Sequence, residues 1–229
     1  MGSSYWYPWR TFWSSAMSSF VNANALLSYI PMTYLTEPFT ITGHCFALRR
    51  TIFDAIGGLE DMIGRIDDDH ELARRLRRHG LRCIQTPMIY DVDNDLPTLP
   101  AYLAQMRRWF VFPRLLMAPY LSRRDQAVTA LGSAGTLLPS LIALLAISSR
   151  SRHALRGLAI MFGVFAAVYL YGERRYLGRS APTRRLITLV IAAVIAPLQI
   201  VWGLLVGDEV QWRGQRLRIR PGGVVEVLT

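Results

Sequence analysis

Apolar residues fall along this chain in two regimes. Up to about residue 96 they come in short bursts interrupted by glycine, proline and charge. Beyond residue 125 they run in long stretches without a charged side chain. A helix crosses a bilayer in roughly 20 apolar residues, with a range of about 17–25. The spacing therefore predicts three membrane spans, at 126–149, 154–172 and 186–207. In the second, Arg156 lies near one end, where its long side chain can snorkel to the interface.

The region before the spans predicts an α/β arrangement. Residues 39–42 and 46–48 have the composition of short strands on either side of Gly43. A helix is expected from Arg50 to Ile56, ending at Gly57-Gly58. A second is expected from Asp69 to His79, with an acidic start, a basic end and Gly80 as its stop; those charges suit the helix dipole. Residues 81–84 and 88–92 resemble strands separated by Pro87. From Leu99 to Leu116 the pattern is an amphipathic helix, with Trp109, Phe110 and Phe112 suited to a membrane interface. The expected organisation is an α/β portion (1–96), an interfacial helix (97–125), the membrane region (126–207) and a short tail (208–229).

Charge changes this picture in two places. The formal charge is +10, and all 26 basic residues are Arg. Most of them flank apolar segments or sit on the one acidic-basic helix, which argues against nucleic acid as the partner. The connector from Glu173 to Arg185 holds Arg174, Arg175, Arg179, Arg184 and Arg185, more than Arg150-Ser151-Arg152-His153, and positive loops favour the cytoplasmic side. Three spans then put the N-terminal region on that side and the tail opposite. Arg213, Arg216, Arg218 and Arg220 in the tail fit that placement poorly, and a re-entrant segment is the alternative. Cys45 and Cys83 lack metal-ligand spacing and are expected as small buried residues. No signal-peptide pattern is visible at the start.

Two motifs carry candidate chemistry. Asp67-Asp68-Asp69-His70-Glu71 crowds carboxylates at a helix start. Capping and dipole compensation need only one of them. Adjacent carboxylates also raise one another's pKa, which suits a general base. Gln105-Met106-Arg107-Arg108-Trp109 places Gln105, Arg108 and Trp109 within about one helical turn. Arg offers a planar donor fork for phosphate and Trp a flat face for sugar or lipid, although an interfacial helix of no catalytic role has the same composition. The residues alone leave both pairs of alternatives open. Asp91-x-Asp93-x-Asp95 is expected as a solvated turn.

The order Thr42-Gly43, Gly57-Gly58, Asp68-Asp69, Gln105-x-x-Arg108-Trp109 resembles the C-terminal half of inverting glycosyltransferases of family 2 and 21 type. The tail, Gln211-Trp212-Arg213-Gly214 through Arg218-Ile219-Arg220-Pro221-Gly222-Gly223, resembles the end of ceramide glucosyltransferases and related bacterial lipid glycosyltransferases. The resemblance implies a GT-A-like nucleotide-diphospho-sugar fold followed by membrane helices. It implies Asp69 as the base that deprotonates the acceptor hydroxyl, with Asp68 where the family usually has Glu. Gln105, Arg108 and Trp109 would hold the donor pyrophosphate and the acceptor, and Thr42-Gly43-His44 would line the sugar site.

The implied donor is a nucleotide-sugar such as UDP-glucose, and the implied acceptor a ceramide-like lipid hydroxyl. The implied location is a bacterial inner membrane with the catalytic region cytoplasmic. The family also uses a divalent metal, Mg or Mn, held by an Asp-x-Asp that precedes the acidic helix. Here the first Asp is Asp54, so that element is expected outside this chain, upstream or on a separate donor-binding chain, and the chain is expected to be inactive alone. A processive polysaccharide synthase of the cellulose or hyaluronan kind, and a non-catalytic membrane subunit, are the rival readings.

Overall fold

The computed structural model describes residues 4–6, 10–26, 30–35, 37–41, 43–84, 89–93, 95–135, 137–178, 180–212 and 214–228. In chain order the elements are β1 (Ser4–Trp6), α1 (Phe12–Asn24), α2 (Ile30–Leu35), α3 (Arg50–Ala55), α4 (Asp68–Arg78), β2 (Ile89–Asp91) and α5 (Leu99–Phe112). There follow α6 (Arg123–Gly135), α7 (Leu137–Ser149), α8 (Arg152–Gly172), α9 (Ile187–Leu205), β3 (Glu209–Trp212), β4 (Gln215–Ile219) and β5 (Val225–Leu228).

The expected GT-A-like parallel sheet is not seen among the described residues. β1 and β2 form a two-stranded parallel pair, and the larger sheet is the antiparallel β3-β4-β5 at the C-terminal end. Residues 39–41, 46–49 and 81–84 run as irregular chain. Strand-like composition is insufficient there, because a strand is stable only where a neighbour completes its ladder of hydrogen bonds. Thr42 and residues 85–88 lie outside the described residues.

α4 forms because its charges agree with its dipole: Asp68, Asp69 and Glu71 occupy the first turn, and Arg75, Arg77 and Arg78 the last. Its apolar face, Leu72 and Leu76, packs on Ile56 and Met62. α5 buries Tyr102 and Met106, four residues apart, against Met17 and Val21 of α1. It continues as a π-helical turn through Pro113–Met117. α1 starts where Thr11 accepts from the Ser14 N–H at 3.1 Å.

Among the described residues, two helices are long and apolar enough to cross a membrane, Arg152–Leu177 and Thr183–Gly203. Core helices of a soluble protein would be mostly buried, whereas only 6% and 33% of these two apolar windows are. The stretch 126–149 is occupied by α6 and α7, of which α7 is apolar. Its 13 residues rise only about 20 Å, short of a roughly 30 Å hydrocarbon core. The Leu and Ile side chains of α7 and α8 that stand exposed, among them Leu144, Ile147 and Ile160, would face lipid.

α9 is the better-packed helix. Ser19 of α1 and Thr188 share a hydrogen bond of 2.7 Å, and Ser140 of α7 donates to the Val194 carbonyl at 2.8 Å. Ser14, Ser15, Ser18 and Ser19 are all buried on α1; such small residues let helices approach closely, as membrane helix pairs commonly do. Gln199, buried in the middle of α9, donates to the Tyr102 hydroxyl of α5. A Cβ on Gly203 would lie 2.2 Å from Phe110 Cβ, so only glycine permits the α5–α9 contact.

The tail corrects the topology expected from three spans. Val210, Leu217 and Ile219 of the β3-β4-β5 sheet pack on Val111 and Leu116. The Val225 N–H donates to Gly64 at 3.0 Å, and the Ile66 N–H to Gly223 at 3.1 Å. The tail therefore lies on the same side as the acidic helix. Three of its arginines are paired locally, Arg216 and Arg218 with Glu209 and Arg220 with Glu226, and Arg213 lies outside the described residues.

Candidate active site

The candidate site is built around the start of α4. Asp67, Asp68 and Asp69 are consecutive, yet the fold gives each a different environment. Asp67 is buried, and Arg65 grips it with two bonds, Nε to Oδ1 at 3.1 Å and Nη2 to Oδ2 at 3.0 Å. Asp68 is exposed in the first turn. Asp69 is half-buried: its Oδ2 accepts from the Gly43 N–H at 3.0 Å and its Oδ1 from the His70 N–H at 2.7 Å.

Burial pushes the Asp69 carboxyl above its ordinary value, and the charges of Asp68 and Asp67 add to that. The two N–H donors pull in the other direction without cancelling it. A carboxylate so tuned is more basic than a solvated one, which is what proton abstraction from a hydroxyl requires.

Glu71 is the electrostatic hub of the same helix. It is buried and accepts from Arg74 Nε at 2.6 Å and Arg75 Nε at 3.1 Å, with Arg65 Nη2 at 3.5 Å. Burial alone would raise its pKa, but the hydrogen bonds from Arg75 and Arg74, with the charges of Arg74 and Arg65, hold it below its ordinary value. Arg75 also reaches the carbonyls of Ile56 and Gly58, both at 3.4 Å. It thereby braces the turn in which Gly57 has φ +90° and Gly58 φ +56°, backbone that suits glycine.

The tail completes this side of the site. Gly223 has φ +86°, and a Cβ there would sit 2.0 Å from Asp67 Oδ1. The Pro221-Gly222-Gly223 turn is thus seated on the acidic motif itself. This contact, and the roles of Arg65, Asp67 and Glu71, were not found from the sequence. Two signals could have found it: the alternation of Arg216, Leu217, Arg218 and Ile219, which has the period of a strand, and the Gly pair after it.

On α5, Arg108 Nη2 donates to Gln105 Oε1 at 2.8 Å, so these two residues meet as their i,i+3 spacing predicts. Trp109 packs on Phe20, ring centroids 6.4 Å apart. His44 lies beside Tyr90, with centroids 5.9 Å apart. Tyr90 and Trp109 both pack on the cluster of Met17, Tyr102 and Met106, and Val111 of α5 shares the tail's cluster with Ile66. Packing therefore reaches α5 from His44 by way of Tyr90 and from Ile66 by way of the tail's cluster. Thr42, expected beside Gly43, lies outside the described residues.

The carboxylates of the acidic run 91–95 are exposed, as expected of a solvated segment, although Asp91 ends β2 rather than lying in a turn. Asp93 pairs with Arg10 at 2.7 Å, and Asp95 accepts from Ser14 Oγ at 2.6 Å, tethering the start of α1. Cys45 and Cys83 are free thiols, half-buried rather than buried. No group of three or more His, Cys, Asp or Glu among the described residues is placed to hold a metal ion. The nearest carboxylates are engaged elsewhere, Asp67 by Arg65 and Asp69 by backbone N–H groups. These residues do not fit the divalent metal that the resemblance implies.

Comparison with known proteins gives one family. The family model described as Glycosyl transferase family 21 matches residues 11–225. No curated protein and no solved structure matches the chain.

Proposed function

Given that this chain belongs to glycosyl transferase family 21, and so to a family of enzymes, we propose that it supplies the base and the acceptor side of an active site that transfers a single sugar from a nucleotide-sugar to the hydroxyl of a membrane lipid with inversion. The donor-binding part is supplied from outside residues 1–229. The donor is UDP-glucose and the acceptor a ceramide-like lipid. Residues 1–96 supply the catalytic portion, 97–125 the interfacial helix and 126–207 the membrane region. The reaction is placed on the cytoplasmic side, as the family resemblance implies.

In this reading Asp69 is the base. The acceptor oxygen attacks the anomeric carbon while its proton passes to the Asp69 carboxylate. The bond from that carbon to the nucleotide diphosphate breaks on the opposite face, which inverts the centre. The charge that develops on the departing diphosphate is met by Arg108, held ready by Gln105, and Trp109 with His44 and Gly43 bounds the sugar and acceptor. Asp68 adds to the basicity of Asp69 by charge. No step is assigned to a metal.

The observation that carries the proposal is the Asp69 carboxylate, raised above its ordinary value by burial and held by the Gly43 N–H. The test is an assay on membranes from cells carrying the gene in its native context, with labelled UDP-glucose. One sugar per lipid molecule in the organic phase is the expected product. A polymer would move the chain to the polysaccharide synthases, and no label transferred above that of membranes lacking the gene would refute the proposal.

A further inference from the structure

A second cleft lies on the other side of α4, beneath the link between α5 and α6. Its volume is about 420 Å³, and it is lined by Phe39, His70, Arg74, Arg77, Arg78 and Tyr120, with Leu121 and Ser122 closing it. That volume falls in the range of about 300–1,000 Å³ usual for small-molecule sites. His70 is only 6% exposed, and both of its ring nitrogens are buried without a hydrogen-bond partner among the described residues. Buried polar atoms of this kind are rare in folded proteins and ask for an occupant.

The lining states what the occupant must be. The guanidinium groups can only donate. Arg74 is fixed by Glu71 and stacks 4.6 Å from the Tyr120 ring centroid, and Arg77 is fixed by Asp125 at 3.2 Å. Asp67, the other carboxylate near His70, is already bound by Arg65. Arg78 has no ion pair among the described residues. The cleft thus has cations set in place by carboxylates, one of them uncommitted, around a histidine.

We propose that this cleft binds an organic phosphomonoester. Arg78 and the remaining guanidinium N–H groups would hold the phosphate oxygens, and Phe39, Tyr120 and Leu121 the organic part. A phosphomonoester has a second pKa of about 6 and so exists both with and without a proton. A neutral imidazole, one donor and one acceptor, serves both forms, whereas a phosphodiester has no proton to offer it. Burial lowers the His70 pKa, keeping the ring neutral before the ligand arrives. This site is separate from the catalytic reading, because neither Asp69 nor Arg108 lines it. A lipid headgroup of phosphatidate type and a soluble phosphate ester share this chemistry.

The test is calorimetry on the full chain in lipid nanodiscs, with phenyl phosphate, dioctanoyl phosphatidic acid and, as a diester control, dioctanoyl phosphatidylcholine. At least one monoester should bind tenfold or more tightly than the diester. Binding of the lipid alone assigns the headgroup source, and binding of phenyl phosphate assigns the phosphoryl group itself. Arg78→Gln, at an exposed position, and His70→Asn should each weaken binding about tenfold, with thermal unfolding confirming that each folds. Should His70→Asn not fold, Arg78→Gln carries the test. No preference for a monoester, or wild-type affinity in either folded variant, would overturn the proposal.

Discussion

α4 and α5 carry the candidate chemistry, and they are held in opposite ways. α4 is fixed by charge: Glu71 gathers Arg65, Arg74 and Arg75, Asp67 takes both arms of Arg65, and the tail rests on that pair through Gly223. α5 is fixed by apolar contact, Met106 against Met17 on one face, Val111 against the tail sheet on another, and Phe110 against Gly203 of α9. A polar tie to α9 is made by Tyr102 with Gln199. The difference follows from where each helix sits. Ion pairs are weak where water screens them, but they can organise a buried loop beside a carboxylate whose basicity matters. A helix that leans on an apolar span has no use for them and relies on shape.

The contrast can be broken from either side. The largest effect on stability is expected from Gly223→Ala, which forces a methyl group onto Asp67 in a left-handed backbone; it should cost about 3 kcal/mol in thermal unfolding. Arg108→Ala should leave the fold intact and lower turnover about 100-fold, because its loss removes a charge partner of the leaving group and little packing.

Glu71→Gln should cost about 2 kcal/mol by leaving Arg65, Arg74 and Arg75 without their shared anion. The Glu71 pKa is depressed in the fold, so its contribution is fully present above the ordinary carboxylate value. It is lost as pH falls through the lower folded value. Acid unfolding curves of wild type and variant should therefore converge at low pH. The smallest effect belongs to the other kind of contact: Ser19→Ala, which removes the bond to Thr188, should cost about 1 kcal/mol.

What the sequence revealed, and what it hid, follows the same division. α4 was legible almost to the residue, expected from Asp69 to His79 and found from Asp68 to Arg78, because its charges and Gly80 mark both ends locally. α5 was legible as a helix for the same reason, and the Gln105–Arg108 bond follows from its spacing. Residues 39–41 and 81–84 were not, since whether extended chain becomes a strand depends on a partner elsewhere. The tail was missed as structure because its meaning is long-range: Arg216, Arg218 and Arg220, which counted against its side of the membrane, are answered by Glu209 and Glu226, and Gly223 makes sense only beside Asp67. Of the candidate site, then, the groups were visible and the framework was not.

The most direct test of the account is the pH dependence of turnover for wild type and Asp69→Asn in the same membranes. Asn keeps an oxygen to accept from the Gly43 N–H but loses the acceptor that faces the His70 N–H, so thermal unfolding of the variant accompanies the assay. The account predicts a loss of roughly 10²–10⁴-fold. Because the base must be ionised and its pKa is raised by burial, the wild-type rate should rise with pH along an acid limb above the ordinary carboxylate range. The residual rate of the variant should lack that limb. Turnover retained by Asp69→Asn, or the same acid limb in both proteins, would contradict the assignment of Asp69 as the base.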